Sequence, residues 1–284
     1  MKNSTIPMPA ASSYAVVGGR AWSYWKGWSA IAQAFVFGTV ALIYFPLMWL
    51  ALMSISAQPL SGLPLPFSLS SYRILFHKLD WVAPLGISVL IAIGVGAVTA
   101  ITATLVGRLL PHSRRSGTLV LLAILPLFIP GMSMGAAMFI FLRPMLEMTL
   151  GFWSIFLGHV VWAFPFSLLI VLVLTTRFDN RLIEAGADLG ASAWRTFWDI
   201  EMPILRPGIV GAATFGFLIS FNEVQRSVFL RGTATTMPIW NWTMGSSQQS
   251  QVPVIFGLET IVLLVVLPSL AALFWVLFVR MDKS

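Results

Sequence analysis

Long apolar segments alternate with short polar ones along the chain. Six of the apolar segments approach or reach the ~20 residues that a helix needs to cross a ~30 Å hydrocarbon core. They lie at about residues 30–53, 85–106, 117–142, 152–174, 208–221 and 254–279. The pattern predicts an all-α polytopic membrane protein with six transmembrane helices.

Two of these segments carry features that set them apart. Pro126 and Pro130 predict a kink or break in the third span, because proline removes a backbone hydrogen bond from a helix. His159 lies inside the fourth span without a carboxylate or histidine at ligand spacing, so we interpret it as a core histidine bonded to a neighbouring helix.

The polar segment 179–208, between the fourth and fifth spans, holds five of the ten carboxylates of the chain. A bilayer core does not accept such a block, so it must lie in water or against another protein. Asp179 is placed to cap a first short helix, and Gly190 is a suitable residue to end it. Ser192 is placed to cap a second, which we expect Pro203 and Pro207 to end.

The second short helix carries three aromatic residues at helical spacing, Trp194, Phe197 and Trp198. Positions three and four apart share one face of a helix, so we expect these side chains to tie the segment to the membrane helices. An amphipathic loop lying on lipid headgroups is the alternative explanation of the same pattern.

Six residues of this segment follow the spacing E-A-A-x3-G-x6-F-x2-I-x-L-P, namely Glu184, Ala185, Gly190, Phe197, Ile200 and Pro203. The spacing resembles the EAA loop of ABC-importer permeases. Gly186 stands where that motif has a second alanine, and Met202 stands where it has leucine. Glycine weakens a helix by up to ~1 kcal/mol relative to alanine, so Gly186 is expected to loosen the first short helix.

Composition excludes several other classes of protein. Only 10% of the 284 residues are charged, whereas a soluble protein carries about 25%. There is no cysteine, the three histidines are far apart, and no Walker-type phosphate loop occurs. The sequence therefore predicts no catalytic site, no metal site, no cofactor and no nucleic-acid partner.

The basic residues indicate the orientation in the membrane. Twelve of the seventeen lie on the side that holds both termini and segment 179–208, and five lie on the other. The richer side faces the cytoplasm by the positive-inside rule. We divide the chain into a cytoplasmic tail with an aromatic interfacial segment, residues 1–29, and a transmembrane domain, residues 30–284.

Ionisable residues near the outer ends of the last two spans are candidates for a solute path. Glu223, its neighbour Asn222, and Glu259 are predicted to lie in the outer half of the bilayer. A carboxylate facing the path would favour a cationic solute. The alternative is an ion pair, of Glu223 with Arg226 or of Glu259 with Arg231.

The family resemblance implies partners and a mechanism. A permease of a type I ABC importer works with a second permease subunit, two copies of an ATPase subunit and an extracytoplasmic solute-binding protein in the bacterial inner membrane. By this resemblance, residues Glu184, Ala185, Gly186, Gly190, Phe197, Ile200 and Pro203 form the ATPase-coupling loop.

Residues 221–244 resemble the corresponding stretch of the spermidine/putrescine permeases, which implies a polyamine or a similar cation as solute. Asn222 replaces the first acid of that pattern, and permeases for ferric iron, aminoethylphosphonate and opine-like solutes share much of it. An ion-coupled secondary transporter using Glu223 and Glu259 is the alternative from another class, and a structural membrane subunit is a third.

Overall fold

The computed structural model describes residues 15–247 and 251–275, and the regular structure within them is helical apart from one isolated bridge between Ser56 and Phe67. The α-helices are α1 (Ala15–Ser54), α2 (Ser70–His77), α3 (Val82–Leu109), α4 (Ser116–Ile124), α5 (Gly131–Ile140), α6 (Phe152–Thr175), α7 (Arg181–Asp188), α8 (Ala193–Thr196), α9 (Met202–Phe221), α10 (Ser227–Leu230), α11 (Met237–Ser247) and α12 (Val252–Phe274). The predicted all-α fold is confirmed, and the chain is a multi-pass membrane protein.

Four helical stretches of the described residues are long and apolar enough to cross a membrane: Ala30–Ser54, Val82–Leu109, Phe152–Thr175 and Ala193–Phe221. The predicted third span is a bent pair of helices, whose two parts meet at an angle of 102° between Phe128 and Gly131, so the break expected from the prolines is present. If that pair crosses as one unit, the described residues contain five spans. The sixth crossing stays a prediction, since the apolar part of α12 is Val252–Val266.

The fifth span begins earlier than predicted. A continuous helical stretch runs from Ala193 to Phe221, and it contains both prolines that were expected to end the loop. Pro203 stands in the first turn of α9, where a missing N–H costs little, and directly after a π-helical turn at Phe197–Glu201 that widens the backbone. Pro207 then removes only one hydrogen bond from the interior of α9.

The centre of the bundle is formed by α3, α6 and α9, which pack closely through small residues. A side chain on Gly96 would meet the carbonyl oxygen of Ala213 at 2.6 Å, and one on Gly216 would meet the Cα of Gly96 at 3.2 Å. Ser167 of α6 donates across the contact to Thr99 Oγ1 of α3 at 3.0 Å. Small residues and interhelical hydrogen bonds replace the hydrophobic effect as the driving force for packing inside a membrane.

Short helices in two of the segments that connect the long helices pack onto the bundle. Helix α2 packs with α11 against α12 through Leu75, Met237, Trp240, Val254 and Leu258. The backbone N–H of Met237 also donates to Ser88 Oγ of α3 at 2.7 Å. These contacts place α2 and α11 against the bundle.

Residues 1–14 of the predicted tail and residues 276–279 of the predicted sixth span lie outside the described residues. Residues 15–29 of the predicted tail are helical and belong to α1. The predicted domain boundary at residue 30 therefore falls within one continuous helix. The side chains of the aromatic segment before it are outside the described part of the chain.

Candidate coupling loop and solute path

The first short helix of the polar loop ends as its sequence predicts, but its cap lies one residue after the predicted Asp179. The carboxylate of Asp179 accepts a hydrogen bond from the backbone N–H of Arg181 at 3.0 Å, while Asn180 occupies the cap position itself. At the other end, Gly190 has a φ of 78°. Its N–H donates to Ala187 O at 2.9 Å, and the next N–H donates to Gly186 O at 3.0 Å. This is a Schellman ending, which glycine adopts without strain.

The second short helix is also capped as predicted, and it then continues into the membrane. Ser192 Oγ accepts from the N–H of Arg195 at 3.3 Å. After one α-helical turn, α8 passes through the π-helical turn Phe197–Glu201 into α9. We call this region the elbow. Its first arm is α7, and its second arm is the helical stretch Ala193–Phe221, which is the fifth span itself.

Gly186 lies at the contact between the two arms of the elbow. It is the buried residue of α7, and a Cβ added to it would meet Ile200 Cδ1 at 3.1 Å and Thr196 Oγ1 at 3.5 Å. The glycine therefore lets the arms approach closely, which is a role that the sequence pattern alone did not reveal. Glu184, Ala185, Gly190 and Pro203 are exposed to solvent.

The three aromatic residues pack against one another, with the Phe197 and Trp198 rings 5.1 Å apart. Phe197 also reaches α3, because the guanidinium carbon of Arg108 lies 4.6 Å from the centre of its ring. Trp194 is 72% exposed, so the contact predicted for all three residues is made here by Phe197.

An ion pair beside Phe197 connects the elbow to α3. Arg108 donates from Nε to Glu201 Oε2 at 2.6 Å and from Nη2 to Glu201 Oε1 at 2.8 Å. Such a bidentate pair fixes geometry as well as charge. Sequence reasoning missed it, although an acid in the polar segment and an arginine just after the predicted second span were visible signals. A cavity of about 240 Å³ adjoins the pair between the ends of α3, α6, α7 and α9.

At the end of the bundle opposite the elbow, Glu223 forms the ion pair that the sequence left as an alternative. Arg226 Nη1 donates to Glu223 Oε2 at 2.8 Å, and the Arg226 backbone N–H donates to Oε1 at 3.0 Å. The guanidinium lies 3.7 Å from the centre of the Trp162 ring on α6. Glu223 and Arg226 are both buried, and so is His159, which bonds Ser220 and Ser227 at 2.8 Å each. The interpretation of His159 as a bonded core histidine is confirmed.

Glu259 has a different environment. Its Oε1 accepts a hydrogen bond from Asn241 Nδ2 of α11, and it does not pair with Arg231. It lies with Asn222 along a cavity of about 190 Å³ between α1, α9 and α12. Two of the three candidate path residues, Asn222 and Glu259, are thus brought together, while Glu223 is held apart by Arg226. Their role in a solute path stays a prediction.

Among the described residues, no group of three or more acidic or histidine side chains is arranged to hold a metal ion. No protein-family model matches the chain.

Known proteins resemble the chain over most of its length. The spermidine/putrescine transport system permease protein PotC of Haemophilus influenzae is 28% identical over 207 residues, which cover 72% of this chain and 80% of the relative. The putrescine transport system permease protein PotI of Escherichia coli is 23% identical over 251 residues, 85% of this chain and 88% of the relative. The chain resembles ABC-importer permeases. The resemblance inferred from the loop is confirmed.

The fold matches as well. A chain in the crystal structure of a bacterial ABC transporter involved in the import of the acidic polysaccharide alginate superposes with a TM-score of 0.65 at 14% identity. The match covers 95% of this chain and 100% of that one. The likeness therefore extends over the whole bundle and includes the region of the elbow.

Proposed function

We propose that the chain is the permease subunit of an ABC importer in a bacterial inner membrane. It forms part of the path for a small solute and takes its energy from a separate ATPase subunit. Six spans with both termini in the cytoplasm would place the elbow where an ATPase can reach it. The observation that carries the proposal is the exposed EAA-like sequence on a capped, two-armed elbow that continues directly into a membrane-spanning helix.

The surface of the elbow supports docking to another protein. Glu184, Ala185 and Gly190 are exposed, and so are the large apolar side chains of Leu189 and Trp194, at 89% and 72%. Exposed apolar side chains around a polar motif are typical of a protein-binding surface. A cleft in the ATPase is the partner that the resemblance implies.

The contacts of the elbow offer a route for movement into the bundle. ATP-driven closure would push on α7, and α7 presses on the second arm where Gly186 meets Ile200. The second arm continues as α9 and is tied to α3 by the Arg108–Glu201 pair. Two arrangements of the bundle, biased by the nucleotide, would then open the path to one side or the other.

The full complex would contain a second permease subunit, two ATPase subunits and an extracytoplasmic solute-binding protein. The relatives named for spermidine and putrescine transport support a cationic amine as the solute. Asn222 and Glu259 are the residues of this chain that we assign to the path.

The proposal is tested by the variant Glu184→Lys in the assembled complex. Glu184 is exposed, so the substitution should leave insertion and folding unchanged while it removes a charged contact at the joint with the ATPase. Uptake by cells or proteoliposomes should fall to background. The matched control is Asp80→Lys, which makes the same charge change at an exposed site between α2 and α3. Normal ATP-driven uptake by Glu184→Lys would refute the coupling role of the loop.

A further inference from the structure

We propose that the cavity between α1, α9 and α12 binds a solute with a single ammonium group on an apolar body, and that Glu259 holds this ammonium group. The inference rests on the proposed function, since it names the chemistry of the solute that the path accepts. It departs from the polyamines named for the relatives, which carry two or more ammonium groups.

The first argument is that no cationic side chain of the described residues pairs with Glu259. The described residues contain three ion pairs, Arg108–Glu201, Arg195–Asp199 and Arg226–Glu223, and none of them includes Glu259. Glu259 is half-buried in α12 and receives one hydrogen bond, from Asn241. An ionised carboxylate at membrane depth is costly unless a cation accompanies it. A solute ammonium group would fill that place with charge-assisted hydrogen bonds.

The second argument is the composition of the cavity walls. Besides Glu259 and Asn222, the lining side chains are all apolar: Leu47, Leu50, Phe217, Leu218, Phe221, Val262, Leu263 and Val266. The Phe217 and Phe221 rings are stacked 5.8 Å apart on the side of α9. Aromatic rings attract organic cations, and the aliphatic side chains match a hydrocarbon body.

The third argument is the number of acids. Glu259 is the one ionisable residue among those that line the cavity. A second ammonium group on the same solute would be transferred from water to an apolar wall that offers no carboxylate, and this transfer is unfavourable. At about 190 Å³ the cavity is also smaller than the ~300–1,000 Å³ of sites for larger ligands, so a short body is expected.

The inference is tested by equilibrium binding to the purified permease–ATPase complex, without the solute-binding protein and in the absence of nucleotide. The probes are n-butylammonium, 1,4-diaminobutane (putrescine) and 1-butanol, which share a four-carbon chain and carry one, two and no ammonium groups. We expect n-butylammonium to bind at least tenfold more tightly than either of the others. Binding of the diamine as tight as that of the monoamine, or no binding of the monoamine, would overturn the proposal.

Two variants locate the binding. Glu259→Gln keeps the shape of the side chain and should weaken n-butylammonium binding at least tenfold, whereas the exposed control Asp80→Asn should not change it. Val262→Glu places a second carboxylate about one turn deeper on α12 and should shift preference toward the diamine. Unchanged affinity in a folded Glu259→Gln complex would rule out this site.

Binding without nucleotide also separates this inference from the proposed function. Glu184→Lys should lose uptake but keep n-butylammonium affinity, because the elbow is remote from the cavity. If that variant transports normally while Glu259→Gln loses affinity, the coupling role is refuted and the binding site stands.

Discussion

The two ends of the bundle each carry an arginine–glutamate pair with an aromatic ring against the arginine. At the elbow, Arg108 pairs with Glu201 at 2.6 Å and lies over Phe197. At the far end, Arg226 pairs with Glu223 at 2.8 Å and lies over Trp162. The same three groups thus occur at both ends, but their surroundings differ.

The elbow pair joins residues 93 positions apart, and its side chains are 34% exposed for Arg108 and 8% for Glu201. The far-end pair joins residues three positions apart, and its side chains are 2% exposed for Arg226 and 8% for Glu223. The two pairs therefore differ in the arginine, since water can stabilise a partly exposed guanidinium when its partner moves away but cannot reach a buried one. We infer that the far-end pair fixes the geometry of its end and that the elbow pair lies where the bundle is able to move.

The largest effect is expected from Arg226→Met, which leaves Glu223 buried without its cation. Removal of one partner of a buried pair costs about 3–5 kcal/mol, so the melting temperature and the yield of folded complex should fall sharply. Thermal melting in detergent measures this. The double variant Glu223→Gln/Arg226→Met should recover much of the loss, because the orphaned charge is gone. Wild-type stability of the single variant would contradict the contrast between the ends.

An intermediate effect is expected from Glu201→Gln, which keeps the shape of the side chain but removes its charge. Since Arg108 is partly solvated, the free energy of unfolding should fall by only about 1 kcal/mol. Uptake should fall much further than stability, because α3 loses its charged link to the elbow. The comparison of solute uptake with ATP hydrolysis in proteoliposomes tests this. Loss of stability as large as that of Arg226→Met would remove the distinction between the two pairs.

The smallest effect is expected from Asp199→Asn, which breaks the exposed pair with Arg195 on the elbow. The two side chains are 61% and 76% exposed, and such pairs contribute about 0.3–0.5 kcal/mol. Melting temperature and uptake should both stay close to those of the unaltered protein. A loss of uptake equal to that of Glu201→Gln would show that position on the elbow, rather than burial, governs the effect.

The local features of the elbow were the most predictable part of the molecule. Ser192 and Gly190 act at helix ends through their own backbone geometry, so residue type and spacing sufficed to place them. The extent of the fifth span was not predictable in this way. Pro203 normally signals the end of a helix, and the π-helical turn that accommodates it depends on packing around Phe197–Glu201.

Features that join distant segments were beyond the sequence pattern. The close approach at Gly186 depends on Ile200, and the Arg108–Glu201 pair depends on how α3 meets the elbow. For Glu223 the sequence allowed two interpretations, because a glutamate with an arginine three residues later can either line a solute path or form an ion pair with that arginine. The path residues and the coupling residues themselves remain predictions.

The uninterrupted helical stretch from Ala193 to Phe221 has a consequence for energy transfer. Its 29 residues extend about 43 Å at the α-helical rise, from the tip that would meet the ATPase to the wall of the cavity at Phe221. A continuous helix of that length connects its two ends without a relay of side chains. A tilt of a few degrees imposed at Trp194 would carry Phe221 and Asn222 toward or away from Glu259, so the same helical stretch that meets the ATPase in the proposed complex would also change the shape of the cavity.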